Sequence, residues 1–196
     1  MSFTELCARV RAHLDQQHRY DHCVRVARLA ETIARAHGES APNARIAGML
    51  HDLARLYSAE RLLAESERRG HPIGDFERRN PIVLHAPLGA ALARELFGVD
   101  DPAVLSAIAK HTVGAAAMSG LDCVLYLADG LEPGRNFPER ERLVALAKVD
   151  LPGAMRATIA SSLRYFREKG IPAAPQTAQA AHTFGLTTDD LEVRTA

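Results

Sequence analysis

The sequence GMLHDLARLY, residues 48–57, has the apolar composition of a buried helix, except that His51 and Asp52 stand side by side in its middle. A buried carboxylate without a partner costs several kcal/mol of stability. Leu or Ala would pack better at both positions. Some other part of the chain must therefore compensate this polar pair.

The sequence around this segment predicts an all-α protein. Apolar residues recur at spacings of three and four, and the alternating pattern of strands is nearly absent. Glycines 38, 70, 98 and 170 follow predicted helices, as C-terminal caps do. The predicted helices cover about residues 3–17, 20–37, 43–56, 59–69, 87–97, 102–111, 120–130, 138–149 and 153–168.

The C-terminal part of the chain lacks this periodicity. After Gly170 the sequence continues as IPAAPQTAQAAHTFGLTTDDLEVRTA, which is rich in Pro, Ala, Thr and Gln. We therefore expect one domain at residues 1–178 and an irregular tail at residues 179–196, a division that suits a chain of 196 residues.

Composition argues against several classes of function. The formal net charge is zero and no local basic patch stands out, so we expect no nucleic-acid partner. No apolar stretch approaches the roughly 20 residues of a membrane span, and MSFTELCARV lacks the features of a signal peptide. We expect no membrane partner and a cytoplasmic location. The three cysteines form no CxxC pair and suit a reducing compartment, and we favour a packed core thiol over a metal ligand for Cys23.

Histidines and aspartates in separate segments are candidates for the missing compensation. His22 lies in HRYDHCVRVARLA, and Asp129 lies in VLYLADGLEPGR. In a helical bundle these side chains and His51-Asp52 could converge on one metal ion. Two nitrogen and two oxygen donors suit Fe, Mn, Co or Zn, and such a site can activate water for hydrolysis. The alternative for His51-Asp52 is a hydrogen-bonded pair in the core.

Longer motifs carry a resemblance to a known family. They are HRYDHCVRV (18–26), HDLARLY (51–57), NPIVLHAPLGA (80–90), AIAKHTVG (107–114) and YLADGLEPGRNFP (126–138). Together, over about residues 15–177, they resemble the YqeK family of bacterial HD-domain symmetrical diadenosine tetraphosphatases. The resemblance implies an HD-domain helical bundle that hydrolyses diadenosine tetraphosphate (Ap4A) to two ADP molecules, through attack by a metal-activated water on the central anhydride.

The resemblance also implies roles for individual residues. The metal ligands would be His22, His51, Asp52 and Asp129. The substrate-binding residues would be Arg19, His85, His111, Thr112 and Arg135, and the catalytic residues would be Asp52, His85 and His111. Independently, a guanidinium group suits phosphate oxygens. His85 and His111 could instead only cap helices, and Arg135 could be a solvent-exposed residue after the Pro-Gly turn.

The cofactor implied by the resemblance is iron, as one or two ions, with Mn, Co and Zn as alternatives. The implied partners are a dinucleoside tetraphosphate and its ADP product, and the oligomeric state, including a homodimer, stays open. Two rival functions are hydrolysis of another nucleotide and a non-catalytic nucleotide sensor. Gly130 and Gly134 stand where members of the family commonly have bulkier or polar residues, so we expect the local contacts there to differ from the family's.

Overall fold

The computed structural model describes residues 1–187, and this part of the chain is built of helices without a strand. The helices are α1 (Phe3–Leu14), α2 (Gln17–Ala36), α3 (Ala41–Leu50), α4 (Ala59–Arg68), α5 (Asp75–Arg79), α6 (His85–Phe97), α7 (Pro102–Lys110), α8 (Gly120–Leu131), α9 (Arg140–Ala147), α10 (Leu151–Lys169) and α11 (Pro175–Thr183), with a 3₁₀ turn at Pro81–Leu84. The predicted all-α class is confirmed.

The centre of the fold is formed by α2, α3, α7 and α8. Helix α3 packs against the other three, and α8 also packs against α2 and α7. Helix α6 covers α7, while α9 and α10 pack beside α8. This arrangement brings together the helices that carry the motifs singled out in the sequence.

Helix α8 shows how local sequence determines its place in the core. Ser119 and Asp122 form a reciprocal capping box that starts the helix. Every residue from 121 to 128 is buried, as expected for a helix that is apolar on all sides. Asp122 is the one charged residue in this buried stretch, and its Oδ2 pairs with Lys110 Nζ at 2.7 Å. The last turn of this central helix carries Asp129.

A close approach of α2 and α3 depends on Gly48. A Cβ atom at this position would lie 2.5 Å from the Ala27 Cα atom and 2.8 Å from its nitrogen. Only a residue without a side chain fits against backbone at that distance. The contact sets the depth at which the end of α3, with His51 and Asp52, meets α2.

Several predicted boundaries were wrong. The helix expected at 43–56 ends at Leu50 and is followed by turns, and the helix expected from residue 87 starts at His85. Helices α5 and α11 and the 3₁₀ turn were not predicted. Helix α11 runs to Thr183, so residues 179–183 are helical and belong to the packed fold rather than to an irregular tail, while residues 188–196 lie outside the described part.

The glycines expected as caps do adopt the predicted conformation. Gly98 and Gly170 have φ values of 67° and 65° and end α6 and α10. Cys7, Cys23 and Cys123 are free thiols, and the latter two are buried. Within residues 1–187, no helix combines the length and the apolar composition that a membrane span requires.

Candidate metal centre

Three histidines of the centre stand at helix ends and share one hydrogen-bonding pattern. His51 follows α3, His111 follows α7, and His85 joins the 3₁₀ turn to α6. Each donates its Nδ1 proton to the carbonyl oxygen three residues earlier, at 2.8 Å for His51 and 2.7 Å for His111. A carbonyl can only accept, so Nδ1 carries the proton, and each ring presents a bare Nε2 lone pair whenever it is neutral. Helix capping and an inward-facing donor atom are therefore combined in one side chain.

His22 reaches the same state through a carboxylate. It lies inside α2, and its Nδ1 donates to Glu132 Oε1 at 3.1 Å. Glu132 is buried and also accepts from Arg25 Nε at 2.5 Å and from the Gly134 backbone N–H at 2.6 Å. The carboxylate thus fixes both the orientation and the tautomer of the His22 ring.

The first group of donors consists of His22, His51, Asp52 and Asp129. The Nε2 atoms of His22 and His51 lie 3.2 Å apart, and Asp129 Oδ1 lies 3.1 Å from His22 Nε2 and 3.8 Å from His51 Nε2. Asp52 Oδ2 lies 3.6 Å and 3.4 Å from the same two nitrogens. The structure therefore brings these four predicted residues within one coordination sphere of each other.

The second group of donors, from His85 and His111, faces the other carboxylate oxygen of Asp52. Its Oδ1 is 3.4 Å from His85 Nε2 and 3.9 Å from His111 Nε2, and these two nitrogens are 3.1 Å apart. Thr112 Oγ1 is within 3.1 Å of both nitrogens and can donate its single proton to only one of them. Asp52 is thus shared between two clusters of facing acceptor atoms.

This arrangement fits divalent cations. When the rings are neutral, lone pairs of imidazole and carboxylate point at one another without a proton between them, which is repulsive unless a positive charge lies at the centre. Ligands about 2.1 Å from a common ion are separated by about 3.0–3.4 Å in octahedral or tetrahedral geometry, close to the separations found in both groups. The donor set of nitrogen and oxygen suits a first-row transition metal.

Burial and neighbouring charges shift the pKa values of the cluster in opposite directions. Burial raises the pKa of Asp52, but His51 and His85 lower it more, so it ends well below its ordinary value. Burial likewise raises the pKa of Asp129, while His22, His51, His111 and Arg135 bring it below the ordinary value. Burial and the neighbouring imidazoles lower the pKa of His111 to about 3. Burial lowers the pKa of His51, but Asp52 and Asp129 raise it more, so it ends above its ordinary value. Both carboxylates are therefore ionised and His111 is neutral, as metal ligands must be, while a bound cation would have to displace a proton from His51.

Cys23 lies close to this centre without matching its chemistry. Its Sγ falls within 4.8 Å of donor atoms of His51 and Asp52. Burial, followed by the charges of Asp52 and Asp129, raises the pKa of the thiol well above its ordinary value. A thiol that keeps its proton is a poor ligand, which favours the packed role expected from the sequence.

The two predicted arginines both contact ligand carboxylates. Arg19 Nη1 donates to Asp52 Oδ2 at 2.8 Å, and its buried Nε–H has no partner among the described residues. Arg135 Nη2 donates to Asp129 Oδ1 at 2.7 Å, and its Nε donates to the Asp129 carbonyl at 3.0 Å. Both guanidinium groups therefore stand at the edge of the centre with donors available to a further anion.

The structure thus brings together every site residue expected from the sequence. They are His22, His51, Asp52, Asp129, His85, His111, Thr112, Arg19 and Arg135. Sequence reasoning missed Glu132 and Arg25. The signal for Glu132 was its place in the GLEPGR segment, three residues after Asp129, but nothing in the pattern linked it to His22 110 residues earlier.

The chain was compared with protein families, with curated proteins and with solved structures. The HD domain model matches residues 19–148. The symmetrical bis(5'-nucleosyl)-tetraphosphatase of Bacillus subtilis is 34% identical over 90% of this chain and 94% of its own length. The enzyme of the same name from Halalkalibacterium halodurans is 34% identical over 86% of this chain and 89% of its own length.

A solved structure shares this architecture over most of both chains. It is the crystal structure of a predicted HD superfamily hydrolase involved in NAD metabolism from Clostridium acetobutylicum. The two chains superpose with a TM-score of 0.89 at 32% sequence identity, over 94% of this chain and 97% of the other.

Proposed function

Because the chain belongs to the HD-domain family, among its symmetrical bis(5'-nucleosyl)-tetraphosphatases, we propose that it hydrolyses Ap4A and related dinucleoside tetraphosphates to two nucleoside diphosphates. The observation that carries this proposal is the position of the Asp52 carboxylate between two groups of imidazole Nε2 atoms. In each of these rings the Nδ1 proton points away from the centre. A pair of metal sites joined by one carboxylate is an arrangement suited to phosphoryl transfer.

The proposed metal ligands divide between the two groups. His22, His51, Asp52 and Asp129 would hold the first ion, and Asp52, His85 and His111 would hold a second. Iron is the proposed metal, with Mn, Co and Zn as the alternatives that this donor set also accepts. Bound divalent ions supply Lewis acidity, which lowers the pKa of water and polarises a phosphoryl oxygen.

The protein's own residues orient the tetraphosphate. Arg19 and Arg135 would donate to non-bridging phosphate oxygens through Nη–H groups that are not used in the contacts with their carboxylate partners, and Thr112 would add a hydroxyl contact. Symmetrical cleavage, which gives the relatives their name, means attack at the central anhydride. The leaving group is then a nucleoside diphosphate, whose low basicity reduces the need for a general acid.

The resemblance to the family implies catalytic and substrate-binding roles for His85 and His111. Their Nδ1 protons are committed to backbone carbonyls, so neither ring can donate from Nε2 while it is neutral. We therefore propose that both histidines act as metal ligands, so that the cation they hold faces the phosphate, rather than as proton donors. We also propose that the protein acts in the cytoplasm, since its free thiols suit a reducing compartment.

Product analysis tests this function. Metal-free protein is reloaded anaerobically with Fe²⁺, Mn²⁺, Co²⁺ or Zn²⁺ and incubated with Ap4A, and the nucleotides are separated by chromatography. We expect ADP as the only product, with no turnover by Asp52→Asn and full turnover by the surface control Asp100→Asn. Formation of AMP and ATP, or hydrolysis only of other nucleotides, would contradict the proposal, and tight ADP binding without turnover would indicate a sensor.

A further inference from the structure

Helix α6 meets the peptide bond between His51 and Asp52 at Gly89, one turn after His85. A Cβ atom at Gly89 would lie 3.0 Å from the His51 carbonyl oxygen and 3.8 Å from the His51 carbonyl carbon. Close carbon–oxygen contacts in proteins lie at about 3.3–3.6 Å, so this position has no room for a side chain. The two chain segments can approach this closely only because residue 89 is glycine.

Gly89 also faces the helix that leads to His111. A Cβ atom at residue 89 would lie 3.6 Å from Ile108 Cγ2, which is an ordinary contact. The carbonyl oxygen of Ile108 accepts the Nδ1 proton of His111 at 2.7 Å, so Ile108 fixes the direction of that ring. Gly89 therefore lies where the three segments that carry His85, Asp52 and His111 come together.

The depth of α6 at Gly89 determines where His85 stands. The two residues are four positions apart in one helix, so they lie on the same face, and both are buried. On this face His85 Nε2 lies 3.4 Å from Asp52 Oδ1 and 3.1 Å from His111 Nε2. An outward movement of α6 at Gly89 would therefore carry His85 away from both partners.

A methyl group at residue 89 is enough to separate these ligands. The end of α3 has little freedom to move away, because Gly48 already packs it against the Ala27 backbone. Relief of the contact with the His51 oxygen, from 3.0 Å to an ordinary value of about 3.3 Å, therefore moves α6 outward by about 0.3 Å. Metal–ligand distances tolerate only about 0.2 Å. The close approach also explains why the helix contains a glycine that costs it about 0.5–1 kcal/mol relative to alanine.

We propose that Gly89 is a positioning residue, whose missing side chain brings α6 close enough for His85 to join Asp52 and His111 in the second donor group. This inference rests on the proposed function and adds to it a residue that decides whether the second group can hold a cation. The first donor group takes its ligands from α2, α8 and the turn after α3, and none from α6. A change at Gly89 should therefore weaken the second group and spare the first.

Two substitutions of increasing size, Gly89→Ala and Gly89→Val, test this role without touching a metal ligand. Gly130→Ala is the matched control, because it also replaces a glycine within a helix but its Cβ would make only an ordinary contact, 3.8 Å from Thr158 Cγ2. His111→Asn removes a ligand of the second group and shows what loss of that ion alone looks like. Metal-free full-length protein is titrated with Mn²⁺, and the bound ions are counted. Electron paramagnetic resonance then detects the magnetic coupling of two ions joined by one carboxylate, which a lone ion lacks.

We expect the unmodified protein and Gly130→Ala to bind a Mn²⁺ ion in each donor group and to show the coupling. Gly89→Ala should bind the first ion within about threefold of the unmodified affinity and the second more than about 10-fold more weakly. Gly89→Val should bind a single uncoupled ion, as His111→Asn does. The melting temperature of metal-free Gly89→Ala should change little, because the higher helix propensity of alanine offsets part of the strain.

The outcomes separate this inference from the proposed function. If Gly89→Ala holds both ions as tightly as the unmodified protein, or loses both together with a lower melting temperature, Gly89 does not position His85 and the inference is overturned. An unmodified protein that binds a single ion and still hydrolyses Ap4A overturns the inference and leaves the proposed function standing. If the Gly89 variants lose only the second ion but the unmodified, fully loaded protein does not hydrolyse Ap4A, the inference is supported and the proposed function is overturned.

Discussion

The buried Glu132 provides the most specific test of how this centre is held. It accepts from His22 Nδ1, Arg25 Nε and the Gly134 N–H, at 3.1, 2.5 and 2.6 Å. Glu132→Ala removes the acceptor that orients His22 and holds its proton on Nδ1. Without it, the His22 ring can rotate or present its proton on Nε2, where the metal should bind.

We expect Glu132→Ala to weaken metal binding and to have a smaller effect on the rate of hydrolysis once metal is bound. Loss of a partner that orients a ligand histidine typically lowers metal affinity or activity by about 10- to 100-fold, equivalent to about 1.4–2.7 kcal/mol. Glu132→Gln keeps one acceptor oxygen for His22 and should cost less than Glu132→Ala. The NH₂ group of the new glutamine would then face the N–H groups of Arg25, and two hydrogen-bond donors cannot pair. The melting temperature of the metal-free protein should therefore also fall.

A competition titration measures this directly. Metal-free protein is titrated with Co²⁺ in the presence of a fluorescent chelator, and Ap4A turnover is followed at low and at saturating metal. Activity lost at low metal should return at saturating metal. Glu95→Gln is the matched control, because Glu95 also pairs with an arginine, Arg69, but lies away from the centre. A Glu132→Ala protein that binds Co²⁺ within twofold of the unmodified protein would refute the reasoning.

Three further predictions follow from the same contacts. Gly48→Ala should lower the free energy of unfolding by about 1–3 kcal/mol and reduce metal affinity, because its methyl group meets Ala27 backbone at 2.5 Å. Chemical denaturation measures the free energy of unfolding and metal titration measures the affinity. An unchanged denaturation midpoint would count against this prediction. Arg135→Lys, which loses the forked contact made at Asp129, should raise KM for Ap4A more than it lowers kcat, and equal changes in both would be evidence against a role in binding. Because burial lowers the pKa of His111 to about 3, the unfolded chain takes up a proton between pH 6.5 and 3 that the folded metal-free protein does not. His111 therefore contributes stability that is present above about pH 6.5 and is lost as pH falls toward 3, with a slope of up to about 1.4 kcal/mol per pH unit; urea denaturation at pH 7, 6 and 5 should show this slope reduced in His111→Asn, and identical slopes would contradict it.

Periodicity and capping residues predicted most of the helices because each of these signals is local. The stops at Gly98 and Gly170, predicted from the glycines, follow from a positive φ. Helix α11, with the sequence PQTAQAAHT, has little amphipathic pattern. A tertiary contact holds it, the hydrogen bond from Thr177 Oγ1 to the Val113 carbonyl at 2.9 Å, and no local pattern encodes such a contact.

The helix expected at 43–56 ends early for a related reason. His51 gives its Nδ1 proton to the Gly48 carbonyl, which satisfies a free backbone group at the end of α3 and turns the chain. The apolar composition of residues 48–57 predicted a helix that continues to residue 56. Composition does not show which way the His51 ring points, and it is the bond from this ring to the backbone that caps α3. The same turn is what presents His51 and Asp52 to the centre.

Residue type and position proposed His22, His51, Asp52 and Asp129 as ligands of one metal ion, but only the resemblance to a family indicated the other members of the site. Spacing alone left His51-Asp52 as either a core pair or metal ligands, since residues from α2, α3 and α8 meet only after folding. The sharing of Asp52 between two groups, and the support of His22 by Glu132, depend on distances of a few ångströms. Such distances follow from how the central helices pack and have no signal in a single sequence.

The central claim is that side chains from separate helices gather around shared cations. Anomalous diffraction at the zinc edge, from crystals of protein loaded with Zn²⁺, tests it most directly. The account predicts a peak about 2.0–2.1 Å from the Nε2 atoms of His22 and His51, and a second at His85 and His111, both in contact with Asp52. Zinc bound only elsewhere, or no peak between these imidazoles, would contradict it.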